Sequence, residues 1–353
     1  MMKRVNNKGM HIFSKVLLLC AASLASVVHA ATYELPPEGS DVVGAIATVT
    51  ASFDDTLIDI ARVHGLGYQD IVRANPDVNV WVPGEGTEVV LPTRYVLPAG
   101  PRRGIVLNIA EYRLYYFPEP KGDDPGVVMT YPISIGRMDW ETPLGTTTVI
   151  SKVVNPSWYP PQSVRDEHAA EGRPLPRVVP AGPDNPLGDR AMRLGLPGYL
   201  IHGTNRPAGV GMRVTHGCLR MFPEDIRYLF DYIAVSTPVR IINEPVKIGW
   251  QGDTLVLEAH PVLEAPPVDT IDEPVRDAPV PDEPALDEPT TDDAVVEGKD
   301  PLTYVTEQFI VATAERQGQL DWSLVEAAIS RSDGMPVAVG VGIKNAATSA
   351  ASE

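Results

Sequence analysis

The segment VTHGCLR, residues 214–220, sets Cys218 behind a histidine and a glycine, and YLIHGTN at 199–205 places His202 a short distance upstream. These residue types suit nucleophilic chemistry. The reactive form of cysteine is the thiolate, yet a free thiol ionises only near a pKa of roughly 8.5. A histidine within hydrogen-bond reach takes that proton and returns it to a leaving or entering amine. Acyl transfer also needs donors for a developing oxyanion. Gly217 permits close main-chain approach, so N–H groups beside Cys218 are candidates for that task. His216 either orients the loop or assists at the oxyanion. A buried cysteine acting as a small hydrophobe is the bland alternative, but THGC is polar and flexible and does not read as a core strand. His64 and His168 read as solvated helix or loop residues.

The N-terminus supplies the compartment. Lys3, Arg4, Lys8 and Lys15 precede the apolar run VLLLCAASLASVV and then VHA. This is the pattern of a secretory signal peptide cut after Ala30, and the run is too short to span a bilayer comfortably. Leu19 before Cys20 argues against lipoprotein processing. Cleavage would remove Cys20 and leave Cys218 as the single thiol of an exported protein, with no disulfide framework. The 353 residues carry a formal net charge of −17, and residues 264–300 hold thirteen acids against two bases. Clustered Lys and Arg of the kind that binds nucleic acid are lacking, and the few histidines lack metal-ligand spacing, so neither a metal nor another cofactor is expected.

Several elements must position the pair. Over residues 100–243, GIVLNIA, YRLYYFP, GVVMTYPISIG, TTTVISKVV, GYLIHG and TPVRIIN read as strands between turn residues. PEDIRYLFDYIAV reads as the main helix, with Pro223 in its first turn, Glu224 and Asp225 near its positive end, and Ile226, Leu229, Phe230 and Ile233 as one core-facing stripe. The Pro- and Gly-rich stretch 155–188 reads as a lid over a cleft. Residues 40–95 form a small module. AIATVTAS is a strand, DDTLIDIARVHG a helix with an Asp cap and a stop at Gly65, YQDIVRANPD a second helix, and GTEVVLP a closing strand. Residues 244–263 begin a C-terminal domain. The acidic, Pro-rich insert 264–300 stays extended. Two helices, a last strand MPVAVGVGI and a frayed tail complete 301–353.

Two resemblances follow from these residues. The β-α-α-β stretch with DDTLIDIA, ANPD and VPGEGTEVVLP resembles a lysin-motif (LysM) module, which implies binding of peptidoglycan glycan through N-acetylglucosamine. The segment YLIHGTNRPAGVGMRVTHGCLRMFPEDI resembles the active-site signature of the L,D-transpeptidases. With PLPRVVPAGPDNPLG and RSDGMPV, the chain resembles the LysM-bearing Gram-negative subgroup that attaches Braun-type lipoproteins. The implied fold is a mainly β sandwich or barrel with one main helix, followed by a small α+β domain.

The resemblance implies roles. Cys218 is the nucleophile and His202 the general base and acid. The Gly203 carbonyl steadies the imidazole, and Thr215, His216 and Gly217 form the signature loop. Arg220 stands where the broader family often has Asn; Arg220 and Arg213 either hold a substrate carboxylate or fasten the loop. The implied substrate is the tetrapeptide stem of peptidoglycan in the periplasm. A thioester would form at the L-centre of diaminopimelate with loss of D-alanine. Passage to a lipoprotein lysine tethers the outer membrane, passage to another diaminopimelate gives a 3→3 crosslink, and passage to water gives a carboxypeptidase. Carbapenems would acylate the cysteine. A cysteine peptidase of another type and a wall-binding protein with a dead site are the remaining readings.

Overall fold

The computed structural model describes residues 31–120, 122, 125–137, 142–263 and 299–343. The signal-peptide reading, nearly all of the acidic insert and the tail therefore lie outside the described residues. The chain is mainly β. A nine-stranded sheet runs in the order Ala31–Glu34, Val127–Pro132, Arg113–Phe117, Gly104–Asn108, Pro238–Ile242, Gly145–Val154, Arg190–Leu194, Leu200–His202 and Leu219–Arg220. Most neighbours are antiparallel, but Pro238–Ile242 lies parallel to Gly104–Asn108 and Leu200–His202 lies parallel to Leu219–Arg220. A register shift between Val149 and Ser151 lets the long strand pair with different partners along its length; bulges of this kind bend a sheet and increase its twist.

The helix Pro223–Tyr232 covers this sheet. Its stripe of Ile226, Leu229, Phe230 and the following Ile233 packs into one core with Leu107, Leu114, Tyr131, Ile201 and Leu219. Pro223 occupies the first turn, where its missing N–H costs nothing. The two acids behind it do different things from a simple dipole partner. Glu224 pairs with Arg62 at 2.6 and 2.8 Å. Asp225 is buried, and burial followed by the Glu224 charge pushes its carboxyl up to about 7.

The N-terminal unit has the expected β-α-α-β order: Ala47–Thr50 pairs antiparallel with Glu88–Leu91, and the helices Leu57–Val63 and Tyr68–Ala74 lie between them in sequence. The first helix is capped by Thr56, not by an aspartate of the DD pair. The Thr56 hydroxyl accepts from the Asp59 N–H and the Asp59 carboxylate accepts from the Thr56 N–H, a reciprocal capping box. The unit sits against the catalytic sheet. The Tyr68 N–H donates to the Val210 carbonyl at 2.9 Å, and Gly67 and Gly211 touch: a Cβ at Gly211, where φ is +87°, would meet the Tyr68 nitrogen at 2.4 Å.

Val246–Gln251, Thr254–Ala259, Val337–Gly342 and Gly318–Leu320 build a second, four-stranded sheet carrying the helices Pro301–Ala312 and Trp322–Arg331. Residues on both sides of the acidic insert thus share one sheet and one core, with Trp250, Leu255, Leu257, Val305, Val325 and Val339. No described helix is long and apolar enough to cross a membrane.

Candidate active site

The short parallel pair at the end of the large sheet positions the chemistry. Ile201 stands opposite Leu219, and His202 opposite Arg220. Side chains alternate across a sheet, and register partners share a face. Ile201 and Leu219 are fully buried in the core. His202, Arg220 and, one step before Leu219, Cys218 therefore lie together on the other face.

His202 is 4% exposed. Its Nδ1 lies 2.6 Å from the Gly203 carbonyl, which as an acceptor fixes the proton on Nδ1 and leaves Nε2 as the basic nitrogen. Burial, then the Arg220 charge, lowers the imidazole to about 3 against the pull of the Gly203 and Leu187 carbonyls. Gly203 is needed for space, since a Cβ would meet Ile226 Cγ2 at 3.2 Å and the Leu187 carbonyl oxygen at 3.4 Å. The Cys218 Sγ points to the Gly198 carbonyl at 3.6 Å. Burial pushes this thiol up, while the Leu200 backbone and Arg220 act to lower it. Burial thus favours the neutral form of both the thiol and the imidazole.

The loop carrying Cys218 is held from behind. The Thr215 hydroxyl donates to the Cys218 carbonyl at 2.6 Å, and the Thr142 hydroxyl donates to the Gly217 carbonyl at 3.0 Å. Gly217 has φ +90°, a conformation that glycine adopts without strain. In a trans peptide the carbonyl and the next N–H point in opposite directions. Because the Gly217 carbonyl is turned inward to buried Thr142, the Cys218 N–H is turned outward, as an oxyanion donor must be.

The comparisons with known proteins agree with this geometry. The L,D-transpeptidase catalytic domain model, named YkuD, matches residues 102–241. The chain is similar to the probable L,D-transpeptidase ErfK/SrfK of Escherichia coli K12, with 43% identity over 245 residues, 68% of this chain and 77% of that one. It is 42% identical over 251 residues to the probable L,D-transpeptidase YcfS of the same strain, 69% of this chain and 77% of that one. With the probable L,D-transpeptidase YbiS of the same strain it shares 36% identity over 332 residues, 92% of this chain and 98% of that one. The chain belongs to the L,D-transpeptidase family. It is therefore an enzyme of peptidoglycan transpeptidation.

The remaining expected residues of this L,D-transpeptidase fall around the pair. Arg213 lies in the strand Arg213–Thr215, which runs parallel to Ile135–Gly136, and its Nε donates to the Gly136 carbonyl at 3.1 Å. Arg220 differs: its Nε is buried and has no hydrogen-bond partner among the described residues. His216 pairs with Glu167, its Nε2 2.9 Å from Glu167 Oε2.

Sequence reasoning missed four contributors: Thr142, Glu167, and the Leu187 and Gly198 carbonyls. Stretch 155–188 is also less irregular than its Pro and Gly content suggests. It contains the helix Gln162–Ala170 and a two-way bridge between Trp158 and Val179 at 2.9 Å. Buried Asn185 closes its base, donating to the Pro156 carbonyl at 2.8 Å and accepting from the Leu187 N–H at 2.9 Å.

Among the described residues, one group outside the site could hold a metal by its donors. Glu111, Glu258 and His260 bring ligand atoms within 4.8 Å of one another. The Lys247 ammonium already sits among them, 2.6 Å from Glu111 and 2.9 Å from Glu258, with the Tyr115 hydroxyl at 3.0 Å. The cluster is a buried ionic junction, with a cation of the protein's own at its centre.

Proposed function

We propose that this L,D-transpeptidase works in the periplasm through a thioester on Cys218, and that it joins diaminopimelate of a peptidoglycan tetrapeptide stem to the terminal lysine of an outer-membrane lipoprotein. The observation that carries the catalytic part is the register that puts Cys218, His202 and Arg220 on one face.

His202 Nε2 takes the thiol proton as Sγ attacks the carbonyl at the L-centre of diaminopimelate. The negative oxygen develops toward the Cys218 N–H. Collapse breaks the peptide bond, and the imidazolium gives its proton to the departing D-alanine amine. In the second half the lysine amine attacks the thioester, His202 accepts the amine proton, and the thiol is reprotonated as it leaves. Arg220 lies where its charge favours the thiolate over the thiol, and its guanidinium is the candidate partner for a substrate carboxylate. Because burial disfavours both the thiolate and the imidazolium, the two charges are created together at the moment of attack, where each stabilises the other.

The periplasmic reading is supported by the signal-peptide pattern of residues 1–30. The glycan-binding reading of the β-α-α-β unit is supported by two exposed aromatic residues. Phe53, 79% exposed, precedes the first helix, and Trp81, 64% exposed, follows the second. The Leu57 N–H donates to the Val80 carbonyl at 2.9 Å and ties these two loops together. Exposed aromatics of this kind suit sugar faces. The lipoprotein acceptor rests on the likeness to the LysM-bearing subgroup.

Acceptor competition tests the proposal. The mature protein is supplied with a disaccharide-tetrapeptide and a lysine-ended lipoprotein peptide, and products are separated by chromatography and mass spectrometry. A stem–lysine conjugate in excess is the expected result. Stem–stem dimers alone would make it a 3→3 crosslinking enzyme, and tripeptide alone a carboxypeptidase; either overturns the lipoprotein reading.

A further inference from the structure

We propose that Glu167 is a positioning residue for acyl transfer, through which the lid helix holds the nucleophile loop in its working conformation. The inference rests on the reading of Cys218 as the nucleophile.

Glu167 sits on Gln162–Ala170, in the 155–188 stretch. Its two carboxylate oxygens go to two different segments. Oε2 lies 2.9 Å from His216 Nε2, and Oε1 lies 2.8 Å from Arg137 Nη2. These two residues flank the parallel strands Ile135–Gly136 and Arg213–Thr215, and the Arg137 N–H itself donates to the Thr215 carbonyl at 2.9 Å. One carboxylate therefore joins the lid, the strand Ile135–Gly136 that leads into Arg137, and the loop that ends in Cys218. Burial works to raise the Glu167 carboxyl, but the hydrogen bonds from Arg137 and His216 outweigh it and hold the group below the ordinary carboxylate range.

Among the described residues, the helix's other ties are mostly within its own stretch. Val164 is its buried residue. Arg165 bonds to the Pro160 carbonyl and to Gln162, and Gln162 bonds to Asp166, all within the same stretch. The His168 ring stands 6.4 Å from the His216 ring, a loose contact. A helix with one buried side chain is not held down by apolar burial, so the carboxylate clamp is its principal attachment to the loop.

The consequence follows from the loop's anchoring. Side-chain contacts to residues 216–218 come from three different places. Thr142 holds the Gly217 carbonyl, Thr215 holds the Cys218 carbonyl, and Glu167 holds the His216 ring. Thr142 stands just before the strand Gly145–Val154 and Thr215 ends the strand Arg213–Thr215, whereas Glu167 comes from the lid. Gly217, with φ +90°, offers little stiffness of its own. Losing the third anchor lets His216 swing and the Cys218 N–H drift from its outward aim. Small misplacements of reacting groups are costly in rate.

The test is single-turnover acylation of Cys218 by a carbapenem, followed by intact-protein mass spectrometry over a range of inhibitor concentrations. This separates the saturating rate from the half-saturating concentration. Glu167→Ala is expected to lower the saturating rate about tenfold, with the half-saturating concentration and thermal midpoint little changed. Glu167→Gln, which keeps the shape and one acceptor, should fall between. His216→Gln should show a similar loss, and the double variant Glu167→Ala/His216→Gln should be no slower than the worse single variant. Saturating rates for both Glu167 variants within about twofold of wild type would overturn the proposal, as would fully multiplicative losses in the double variant. If Glu167→Ala does not fold, Glu167→Gln decides. A wild-type protein that forms no adduct would sink the nucleophile reading itself, which is a separate outcome.

Discussion

His202 and Arg220 stand directly opposite each other across the parallel pair Leu200–His202 and Leu219–Arg220. That single register accounts for the site. It sends Ile201 and Leu219 into the core and leaves Cys218 on the face of the histidine. A slip by one residue would bury the nucleophile and expose Leu219. Burial is the main influence on both reacting groups; the Arg220 charge opposite His202 adds to the lowering of the imidazole and partly offsets the rise of the thiol.

Removing the two reacting groups should have separate effects. Cys218→Ala should abolish acyl-enzyme formation, with a thermal midpoint close to wild type because the thiol carries little of the core. His202→Ala should slow acylation by roughly 10²–10⁴-fold. Stopped-flow acylation beside thermal melts checks both. A fully active Cys218→Ala protein would refute the mechanism.

The thiol should behave as an unactivated one before substrate arrives. Burial raises Cys218 above the ordinary thiol range and lowers His202 to about 3. The thiolate fraction then grows about tenfold per pH unit through the neutral range. The rate of alkylation by iodoacetamide should climb from pH 6 to pH 9 without a plateau. A plateau below pH 7 would mean a resting thiolate–imidazolium pair.

Asp225 should weaken the fold as pH rises. Its carboxyl is 4% exposed, its Oδ2 has no partner among the described residues, and it is raised from 3.8 to about 7. The folded state therefore binds this proton more tightly than the unfolded chain. The stabilisation is complete below about pH 4 and is lost as pH climbs through about 7. Asp225→Asn, which removes the titration, should stabilise the protein at pH 8 by roughly 1–3 kcal/mol and have little effect at pH 4. Urea unfolding at the two pH values measures this. Equal effects at both would count against it.

The buried junction at Lys247 should be sensitive to removal of its cation. Lys247 holds Glu111 and Glu258, and all three side chains are 1% exposed. Lys247→Met leaves two buried carboxylates without their counter-charge, at a cost of about 3–5 kcal/mol. Denaturant unfolding should report a loss of that size, because Glu111 lies in the turn between Gly104–Asn108 and Arg113–Phe117 of the large sheet and Glu258 lies in the strand Thr254–Ala259 of the second sheet. A loss under about 1 kcal/mol would show that the carboxylates adapt by taking up protons.

Much of this was legible in the sequence, for identifiable reasons. GIVLN, RLYYF and PVRII are dense in β-branched and aromatic residues, so their strands declare themselves. The stripe through Ile226, Leu229 and Phe230 keeps helical spacing and declares the main helix. His202 and Cys218 stand out because the residues around them are small and polar. The strand Arg190–Leu194 was not seen, since RAMRL has neither alternation nor branching. The helix Gln162–Ala170 was hidden because QSVRDEHAA buries only Val164 and so has no stripe. Thr56 outcompeted the preceding aspartates as a cap because Asp59 stands at the reciprocal position. Glu167 and Thr142 could not be read at all. Their partners are 49 and 75 residues away, and such contacts come from the fold and not from local pattern.

The most direct test of the central claim is intact-protein mass spectrometry of the mature chain with a disaccharide-tetrapeptide donor and no acceptor amine. The account predicts a mass gain equal to the donor less D-alanine, mapped to Cys218 and absent from Cys218→Ala. D-alanine release that persists in Cys218→Ala, or an adduct mapped to another residue, would contradict it.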